Sequence, residues 1–344
     1  GDIVPSPWAD RRILVTKEPI GVVGAITPWN FPSSMLARKI GPALAAGCTI
    51  VAKPASQTPY SGLAWGVLAQ EAGIPDGVVN IITGSASAIG DELTENPLVR
   101  KITFTGSTEI GKLLMQKASG TVKKVSMELG GNAPFLVFDD ADVDRAVAGA
   151  VAAKYRNSGQ TCVCTNRFFV QDGIYDRFVE KLVEATGELK VGPGLDDGVQ
   201  QGPLIDEGAV EKVEELLADA TSKGARIAVG GKRHALGGSF FEPTVITDAS
   251  PQMRIMEEEI FGPVAPIFRF SQEEEAVRMA NDTSFGLACY FYTGDLGRAF
   301  RGMEGLKYGL VGVNEGVTTT VEAPFGGLKE SGLGKEGGYQ GIDD

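Results

Sequence analysis

The residues with the clearest chemical potential are two cysteines in a polar loop. Cys162 and Cys164 follow the polar residues 157–161. A buried structural cysteine usually lies in an apolar strand, as we expect for Cys48 and Cys289, whereas a thiol in a polar loop can ionise and react. The local sequence leaves both interpretations of Cys162 and Cys164 open, a nucleophile or a structural thiol.

The single histidine limits which mechanisms the chain can use. His234 lies in a glycine-rich stretch, residues 230–238. Ser-His-Asp or Cys-His catalysis would need that one side chain, and a site built from several histidines cannot form. The pair Cys162-x-Cys164 is also tighter than the usual Cys-x-x-Cys zinc pair. We therefore expect no metal, and chemistry that comes from a cysteine, carboxylates or a bound cofactor.

A glycine-containing turn is the candidate for phosphate binding. Gly106, Ser107, Gly111 and Lys112 follow a predicted strand and open a predicted helix. Such a turn presents backbone amides and the positive end of a helix to a phosphate. Leu113 stands where a P-loop needs Ser or Thr to bind Mg²⁺, which argues against an NTPase. Dinucleotide binding and an ordinary strand–helix turn remain the two alternatives.

Composition restricts the class of protein and its partners. The chain has 344 residues, enough for roughly two domains of about 150 residues each. A net charge of −12 without a basic patch makes nucleic acid an unexpected partner. No apolar run approaches the roughly 18 residues that span a bilayer, so no membrane partner is expected. Four cysteines without disulfide-framework spacing fit a reduced, cytoplasmic setting.

The order of predicted elements indicates an α/β fold. Strands at Gly21–Ile26, Cys48–Ala52, Val78–Ile82 and Val99–Thr105 alternate with helices, which implies a parallel sheet covered by helices. Ser33 or Ser34 is expected to cap the first helix. A second α/β unit runs from about residue 131 to 315, with strands that include Arg226–Val229, Val264–Phe270 and Ala288–Tyr292. A glycine-rich tail begins at Gly316.

Six short motifs occur along the chain in a fixed order: Pro28-Trp-Asn-Phe-Pro32, Lys53-Pro-Ala-Ser56, Phe104-Thr-Gly-Ser107, Glu128-Leu-Gly-Gly-Asn132, Gly159-Gln-Thr-Cys162 and Glu259-Ile-Phe-Gly-Pro263. These motifs and their order resemble those of the aldehyde dehydrogenases, and the match extends over nearly the whole chain. Within that family, the chain is most similar to the succinate-semialdehyde dehydrogenases of the bacterial, gamma-aminobutyrate-degrading type, above all from Tyr155 to Cys164.

The resemblance implies the fold and its domains. It implies a Rossmann-like cofactor domain over residues 1–130, an α/β catalytic domain over 131–315, and a tail, 316–344, that packs back on the cofactor domain. Residues 1–18 would include the start of an oligomerisation segment. Family members carry a further N-terminal segment and a C-terminal strand, so this chain is expected to be truncated at both ends. A homo-dimer or tetramer is expected for the full-length family.

The resemblance also implies the catalytic residues. Cys162 would attack the aldehyde carbon to form a thiohemiacetal, and Asn30 with the Cys162 backbone N–H would stabilise the oxyanion. After hydride transfer, Glu128 would activate the water that hydrolyses the thioester, and could also help to deprotonate Cys162. Relatives that pass the acyl group to coenzyme A typically lack this glutamate, so Glu128 favours hydrolysis. This mechanism needs neither a histidine nor a metal.

The cofactor implied by the resemblance is NADP or NAD. Lys53 would bind the adenosine ribose, with Gly106 and Ser107 at the pyrophosphate and Glu259 and Phe261 at the nicotinamide end. NAD-preferring relatives commonly carry Glu where this chain has Ser56, and a carboxylate there would repel a 2′-phosphate. We therefore predict that NADP is preferred over NAD, with dual use as the alternative. The remaining cofactor-binding positions are Ile26, Thr27, Pro28 and Trp29.

The substrate implied by the resemblance is succinate semialdehyde. Arg38 lies about 200° from the apolar stripe of its helix and Arg156 lies six residues before Cys162. In the semialdehyde enzymes the matching arginines hold the distal carboxylate, a task that suits the guanidinium fork. The third contact would be Thr319, with Thr320 as the next choice. The alternative substrates are glutarate semialdehyde or a broader range of ω-carboxy-aldehydes.

Two alternatives remain open. Cys164 is either a redox partner that forms a reversible disulfide with Cys162, or simply a small residue beside the nucleophile. A chain that lacks family segments could also be a non-catalytic nucleotide-binding or structural protein. Against that interpretation, Cys162, Glu128 and Asn30 are all in place.

Overall fold

The computed structural model describes residues 1–344, and the chain divides into two compact units. The first consists of Gly1–Thr105, Glu109–Ser126 and Glu336–Asp344, and the second of Gly106–Thr108 and Met127–Lys335. The long segment of the second unit thus begins after residue 126, four residues before the domain boundary expected from the sequence, and ends at Lys335. Within the predicted tail, residues up to 335 belong to the second unit and the last nine to the first.

Strands and helices alternate along the first unit. In chain order, its elements are β1 (Asp2–Val4), β2 (Ile13–Val15), β3 (Val22–Ile26), α1 (Pro32–Ala45), β4 (Thr49–Lys53), α2 (Pro59–Glu71), β5 (Val79–Ile81), α3 (Ala86–Glu95), β6 (Val99–Thr105) and α4 (Thr108–Ala118). The next strand, β7 (Lys124–Glu128), begins in the first unit and ends in the second. β1 and β2 form a separate antiparallel ribbon. The strand–helix alternation produces parallel pairing of β3 with β4 and β6, and of β4 with β5.

The order of the parallel strands creates a switch point. In the sheet, β5, β4, β3 and β6 follow one another, so the chain starts at β3 and then builds outward in both directions. Parallel registers place Ile26 opposite Lys53 on one side and opposite Phe104 on the other. Open α/β sheets bind ligands at the carboxyl ends of the strands where the order reverses. That place is the β3–β6 junction.

The first helix starts differently from the sequence-based expectation. α1 begins at Pro32, its N-cap residue is Phe31, and no side chain caps it, so the predicted cap by Ser33 or Ser34 is wrong. Proline suits the first helical position because it lacks the N–H that would otherwise be unsatisfied there. Ser33 and Ser34 therefore lie within the first turn of the helix and not before it.

The second unit is built around a seven-stranded sheet. Its elements, and the last helix of the chain, are β8 (Ala133–Val137), α5 (Val143–Tyr155), β9 (Thr165–Gln171), α6 (Tyr175–Gly187), α7 (Glu207–Ser222), β10 (Arg226–Val229), β11 (Thr244–Thr247), β12 (Val264–Phe270), α8 (Glu273–Asn281), β13 (Phe285–Gly286), β14 (Ala288–Tyr292), α9 (Leu296–Gly305), β15 (Leu310–Val313), β16 (Leu328–Lys329), β17 (Gly332–Leu333) and α10 (Gln340–Asp343).

This larger sheet has the order β10-β11-β12-β9-β8-β14-β15, and only β10 runs antiparallel to its neighbour. Its central strands are apolar on both faces because helices cover both sides, so their aromatic residues are almost wholly buried. Phe135, Phe168 and Phe291 show this burial on three different strands. The fold is therefore α/β in both units. None of its helices combines the length and apolar composition needed to cross a bilayer.

A buried ion pair fastens the last nine residues to the rest of the first unit. Lys39 on α1 donates from Nζ to the Glu336 carboxylate at 2.5 Å and to the Thr103 hydroxyl oxygen at 3.0 Å. The side chains of Lys39 and Glu336 are only 1% and 5% exposed. Each buried charge depends on the other because water cannot replace its partner.

We predict that Lys39→Met lowers the free energy of unfolding by about 3–5 kcal/mol, because Glu336 keeps a buried charge without its cation. The double variant Lys39→Met/Glu336→Leu should recover part of that loss, since both charges are then absent. Urea unfolding of the two variants and the wild type measures the difference. A loss below about 1 kcal/mol in the single variant would show that the pair is solvated.

Candidate active site

Cys162 lies in a short loop between α5 and β9. Ahead of it, Asn157 and Ser158 adopt left-handed backbone angles, with φ of 51° and 58°. The Gln160 side chain holds this turn: its amide donates to the Asn157 carbonyl oxygen at 3.1 Å and its Oε1 accepts from the Ile205 amide at 2.8 Å. Strained backbone of this kind persists where the surroundings fix it, often at functional sites.

Cys162 is the one cysteine of the four that is not buried. Cys48, Cys164 and Cys289 are buried, and burial raises the pKa of the Cys164 and Cys289 thiols. Cys164 donates from Sγ to the Lys154 carbonyl oxygen at 3.1 Å. The expectation of an accessible thiol in the polar loop therefore applies to Cys162, whereas Cys164 faces into the protein because it directly precedes β9.

The backbone around Cys162 is held on several sides. The Cys164 amide donates to the Thr161 carbonyl oxygen at 2.9 Å, which closes a tight turn around Cys162 and Val163. Gly131 packs so closely that a Cβ atom added there would lie 2.3 Å from the Cys162 carbonyl oxygen. No residue other than glycine fits at position 131 without moving the loop.

The segment that contains Gly131 also carries Glu128. Glu128 ends β7, is 2% exposed, and pairs with Gly332 of β17. Its carbonyl oxygen accepts from the Gly106 amide at 3.0 Å. The Glu128 carboxylate is thus a buried acid three residues before the glycine that touches the Cys162 loop.

Glu259 lies in the loop that leads into β12. Its Oε1 accepts from the Gly131 amide at 3.0 Å, and its carbonyl oxygen accepts from Lys212 Nζ at 2.7 Å. The residue as a whole is partly exposed, but its carboxyl group is the buried part, and that burial raises its pKa to about 7. Phe261, two residues later, has a left-handed φ of 51°.

Two buried amide side chains hold the Glu259 loop, and the sequence analysis missed this role. Asn166 donates to the Asn132 Oδ1 atom at 3.0 Å and to the Glu258 carbonyl oxygen at 3.1 Å, and it accepts from the Ile260 amide at 3.2 Å. Asn132 stands inside a recognised motif, but Asn166 has no local signal, because Asn132 lies 34 residues away and its two backbone partners more than 90 residues away. The pair fixes the loop on both sides of Glu259.

These segments meet because three neighbouring parallel strands begin side by side. Gly131 precedes β8, Cys162 precedes β9 and Glu259 precedes β12, and in the sheet β9 lies between β8 and β12. Gly131 contacts both the Cys162 carbonyl oxygen and the Glu259 carboxylate. The second unit thus places its reactive thiol at the amino-terminal edge of its sheet.

A small cavity next to the Cys162 loop is lined by one cationic side chain and several hydroxyl groups. Arg156, Thr161 and Thr319 line it together with Val163, and Thr161 and Val163 are the two neighbours of Cys162 in the chain. The Thr161 hydroxyl oxygen is buried there without a hydrogen-bond partner in the protein. Thr320 lies outside this cavity and its hydroxyl donates to Glu322. Of the two threonines proposed from the sequence, Thr319 therefore accompanies Arg156.

The first unit presents a polar edge where its parallel strands end. The Thr27 amide, just after Ile26 and β3, donates to the Lys53 carbonyl oxygen at 3.1 Å. The hydroxyl oxygens of Thr27 and Thr105 are buried without a hydrogen-bond partner in the protein. Buried polar atoms normally find a partner in protein, water or ligand. This edge, at the switch point of the sheet, therefore suits the polar groups of a dinucleotide.

Lys53 and Ser56 lie at the adjoining turn from β4 to α2. Lys53 is buried, donates from Nζ to the Pro54 carbonyl oxygen at 3.2 Å, and burial lowers its pKa. Ser56 is exposed, and no carboxylate occurs between Pro54 and Thr58. A phosphate at this turn would meet a cation and a hydroxyl group and no negative charge.

The remaining predicted positions of the first unit lie around the start of α1. Pro28, Trp29 and Asn30 form the turn between β3 and α1 and are partly buried. Arg38 is partly buried and is not part of the buried face of α1, which is formed by Met35, Leu36, Lys39, Ile40 and Ala43.

Gly106 and Ser107 belong to the second unit and precede α4. The Gly106 amide is hydrogen-bonded to the Glu128 carbonyl oxygen, so it is not free to bind a phosphate, contrary to the expectation of open amides in this turn. Ser107 is exposed. Of the two, Ser107 keeps the accessibility that a pyrophosphate contact requires.

Comparisons with known proteins show which sequences and structures the chain is similar to. Residues 1–344 match the aldehyde dehydrogenase family. The chain is 61% identical to the NADP(+) succinate-semialdehyde dehydrogenase GabD of Escherichia coli (strain K12), 62% to the 3-sulfolactaldehyde dehydrogenase of Pseudomonas putida, and 61% to the glutarate-semialdehyde dehydrogenase of Pseudomonas aeruginosa. Each match covers 100% of this chain and 71% of the relative. The crystal structure of succinate-semialdehyde dehydrogenase from Burkholderia pseudomallei superposes with a TM-score of 0.99 at 61% identity, over 100% of this chain and 71% of that one.

The buried carboxyl group of Glu259 should make stability depend on pH. Its pKa of about 7 exceeds the usual 4.5, so the folded chain holds this proton more tightly than the unfolded chain. The carboxyl group therefore costs stability progressively as the pH rises from about 4.5 to 7, by about 1–3 kcal/mol in full. We predict that, as the pH rises from 5 to 8, the free energy of unfolding of Glu259→Gln increases relative to that of the wild type by about 1–3 kcal/mol.

Urea unfolding at the two pH values measures this difference. Glu257→Gln, an exposed position two residues earlier, is the matched control and should follow the wild type at both pH values. A stability difference between Glu259→Gln and the wild type that stays constant across this range would contradict the raised pKa.

Proposed function

Because the chain belongs to the aldehyde dehydrogenase family, we propose that it oxidises succinate semialdehyde to succinate, with NADP preferred over NAD. The observation that carries the proposal is the cavity shared by Arg156 and Thr319, which borders the two chain neighbours of Cys162. A guanidinium group and a hydroxyl group suit a carboxylate, and this one would be the far end of the substrate. Arg38 is proposed as the second arginine.

Cys162 is proposed as the nucleophile because it is the one cysteine that is not buried. Cys162 first gives its thiol proton to Glu128, which passes it to solvent. The thiolate sulfur then forms a bond to the aldehyde carbon, and the electron pair of the C=O bond moves to the oxygen as the negative charge of a thiohemiacetal. The Asn30 amide and the Cys162 backbone N–H are proposed as donors to that oxygen. Loss of one such donor costs about 3–4 kcal/mol of transition-state stabilisation.

Glu128 is proposed as the general base. It takes a proton from the water that attacks the thioester carbon, after which Cys162 leaves as the thiolate and succinate is released. Two features support this role: the carboxylate is buried, and the segment that carries it contacts the Cys162 loop through Gly131. A base held in a buried position is oriented before the reaction starts.

The cofactor, when bound, supplies the acceptor for the hydride that leaves the thiohemiacetal. Lys53 and Ser56 would hold its adenosine end, and the absence of a carboxylate from Pro54 to Thr58 favours the 2′-phosphate of NADP. Ile26, Thr27, Pro28 and Trp29 would line the switch point. In the second unit, Ser107 is a proposed contact and Gly106 supports the turn that carries it. Glu259 with Phe261 are the other proposed contacts, and the Asn132–Asn166 pair fixes the Glu259 loop.

A second candidate is the oxidation of another aldehyde with a distal anionic group. Relatives of near-equal identity act on glutarate semialdehyde and 3-sulfolactaldehyde, as their names state. A guanidinium group and an adjacent hydroxyl can donate hydrogen bonds to a carboxylate that lies one carbon farther from the aldehyde, or to a sulfonate, as readily as to the carboxylate of succinate semialdehyde. The choice depends on the distance between the reacting carbon and Arg156 when the substrate is bound, which the identities do not reveal.

We also propose that the chain self-associates through its β1–β2 ribbon. Both strands of this ribbon are exposed, and Ile3, Leu14 and Trp8 expose more than half of their surface. Apolar surface of this kind on a two-stranded ribbon is usually covered in an assembly.

The test is the absorbance of reduced nicotinamide after the chain is mixed with succinate semialdehyde and NADP. We predict a rise that Cys162→Ala abolishes, because the nucleophile is then absent. With NAD the rise should be slower.

Ser56→Glu should shift the ratio of kcat/KM for NADP to kcat/KM for NAD by about ten-fold or more towards NAD. That factor corresponds to about 1.4 kcal/mol of repulsion between the new carboxylate and the 2′-phosphate of NADP. Gln57→Glu adds the same charge one residue along and is the matched control.

Each other outcome identifies a different function. A higher kcat/KM with glutarate semialdehyde or 3-sulfolactaldehyde would favour the second candidate. No oxidation of any of the three aldehydes by the folded chain would contradict the dehydrogenase proposal and favour a nucleotide-binding protein without catalysis.

A further inference from the structure

We propose that Tyr290 is a positioning residue for Cys162, through a hydrogen bond from its hydroxyl group to the backbone of the Cys162 loop. The inference rests on the proposed role of Cys162 as the nucleophile. Tyr290 lies on β14, in none of the motifs around the reacting groups, and 128 residues from Cys162 in the chain.

The contact itself is short and buried. The Tyr290 hydroxyl donates to the Val163 carbonyl oxygen at 2.7 Å, and the residue is 1% exposed. Burial raises the pKa of Tyr290, so the hydroxyl keeps its proton and remains a donor at neutral pH. A buried hydrogen bond of this length has no competing water, and its loss leaves the carbonyl oxygen without a donor.

This bond completes the support of the backbone on the carboxyl side of Cys162. Gly131 packs against the Cys162 carbonyl oxygen, Tyr290 holds the next carbonyl oxygen at Val163, and the Cys164 amide closes the turn on Thr161. With these groups fixed, the peptide that carries the Cys162 N–H has little freedom to rotate. Tyr290 therefore acts on the proposed oxyanion donor through the backbone and not by contact with the reacting atoms.

Tyr290 also reaches the proposed substrate cavity. It lines that cavity with Arg156 and Thr319, and its hydroxyl faces the hydroxyl of Thr318. Gly312 on β15 leaves the space for this approach, because a Cβ there would lie 2.8 Å from the Tyr290 ring and 2.9 Å from the Thr318 methyl group. The Tyr290 side chain thus lies beside both the loop of residues 316–319 and the Cys162 loop, and its hydrogen bond goes to the Cys162 loop.

The packing of β14 explains why the hydroxyl is so well placed. Tyr290 pairs with Phe135 of β8 and with Gly312 of β15, and its ring lies 6.0 Å from the Phe135 ring. The central sheet therefore fixes the ring on both sides and leaves the hydroxyl group as its only polar contact. Tyr290→Phe removes that oxygen and keeps the ring, so the fold should persist.

The experiment compares Tyr290→Phe with Tyr292→Phe, the same change two residues along the same strand. Tyr292 is also buried and stacks on Phe135, but no hydrogen bond joins it to the Cys162 loop. The first readout is the pH profile of Cys162 alkylation by iodoacetamide, followed by mass spectrometry, without aldehyde or cofactor. The second is kcat and KM for succinate semialdehyde.

We expect the alkylation profile of Tyr290→Phe to move to higher pH, because the thiolate loses the oriented backbone dipoles that stabilise it. We expect kcat to fall by about ten-fold or more while KM changes by less than about two-fold, as for a misplaced reacting group. Tyr292→Phe should match the wild type in both readouts. A change in KM alone would place Tyr290 in substrate binding and overturn the positioning role.

Alkylation separates this inference from the proposed function, because it needs neither substrate nor cofactor. Identical alkylation profiles for Tyr290→Phe, Tyr292→Phe and the wild type would overturn the role of Tyr290, whichever aldehyde the chain oxidises. A wild-type chain that oxidises no aldehyde would contradict the proposed function, and the alkylation comparison would still decide whether Tyr290 positions Cys162.

Discussion

The packing of Gly131 against the Cys162 carbonyl oxygen is the constraint on which the candidate site depends. A single methyl group at position 131 would meet that oxygen at 2.3 Å, so the two segments approach as closely as backbone atoms permit. The Gly131 amide at the same time donates to Glu259. Three chain segments, each leading into one of three neighbouring parallel strands, are thereby locked to one another at the amino-terminal edge of the sheet.

This arrangement places chemically useful groups where they cost stability. Glu259 has a buried carboxyl group, Thr161 has a buried hydroxyl group without a protein partner, and Asn157 and Ser158 have left-handed backbone. Each feature is unfavourable by itself and persists only because the surrounding structure is rigid. Functional sites commonly retain such unfavourable groups because catalysis or binding requires them.

The sequence predicted the elements well where local pattern decides them. The strands Val99–Thr105, Val264–Phe270 and Ala288–Tyr292 were predicted with the bounds that the structure has, because buried parallel strands are continuous apolar runs. The bounds of Arg226–Val229 were also predicted, although this strand is antiparallel and mostly exposed. It failed at the start of α1, where proline at the first helical position replaced a serine cap. It also treated Cys162 and Cys164 alike, since only tertiary packing reveals that Cys164 faces inward.

The site was predictable only as far as its motifs extend. The sequence motifs contain Cys162, Glu128 and Glu259. No local spacing predicts the roles of Asn166 and Tyr290, because each acts through a hydrogen bond to a backbone group more than 90 residues away. The sequence ranked Thr319 ahead of Thr320, but only the structure places Thr319 in a cavity with Arg156 and directs the Thr320 hydroxyl to Glu322. Long-range polar contacts of this kind are set by the sheet order, which sequence pattern leaves open.

The most direct test of the account is to look for the covalent intermediate on Cys162. In Glu128→Gln the proposed base is lost while the side chain keeps its shape, so the thioester should form and then hydrolyse slowly. Intact-mass spectrometry after succinate semialdehyde and NADP are added should show one added succinyl group, and peptide mapping should locate it at Cys162. An adduct on another residue, or oxidation of the aldehyde by Cys162→Ala, would contradict the account.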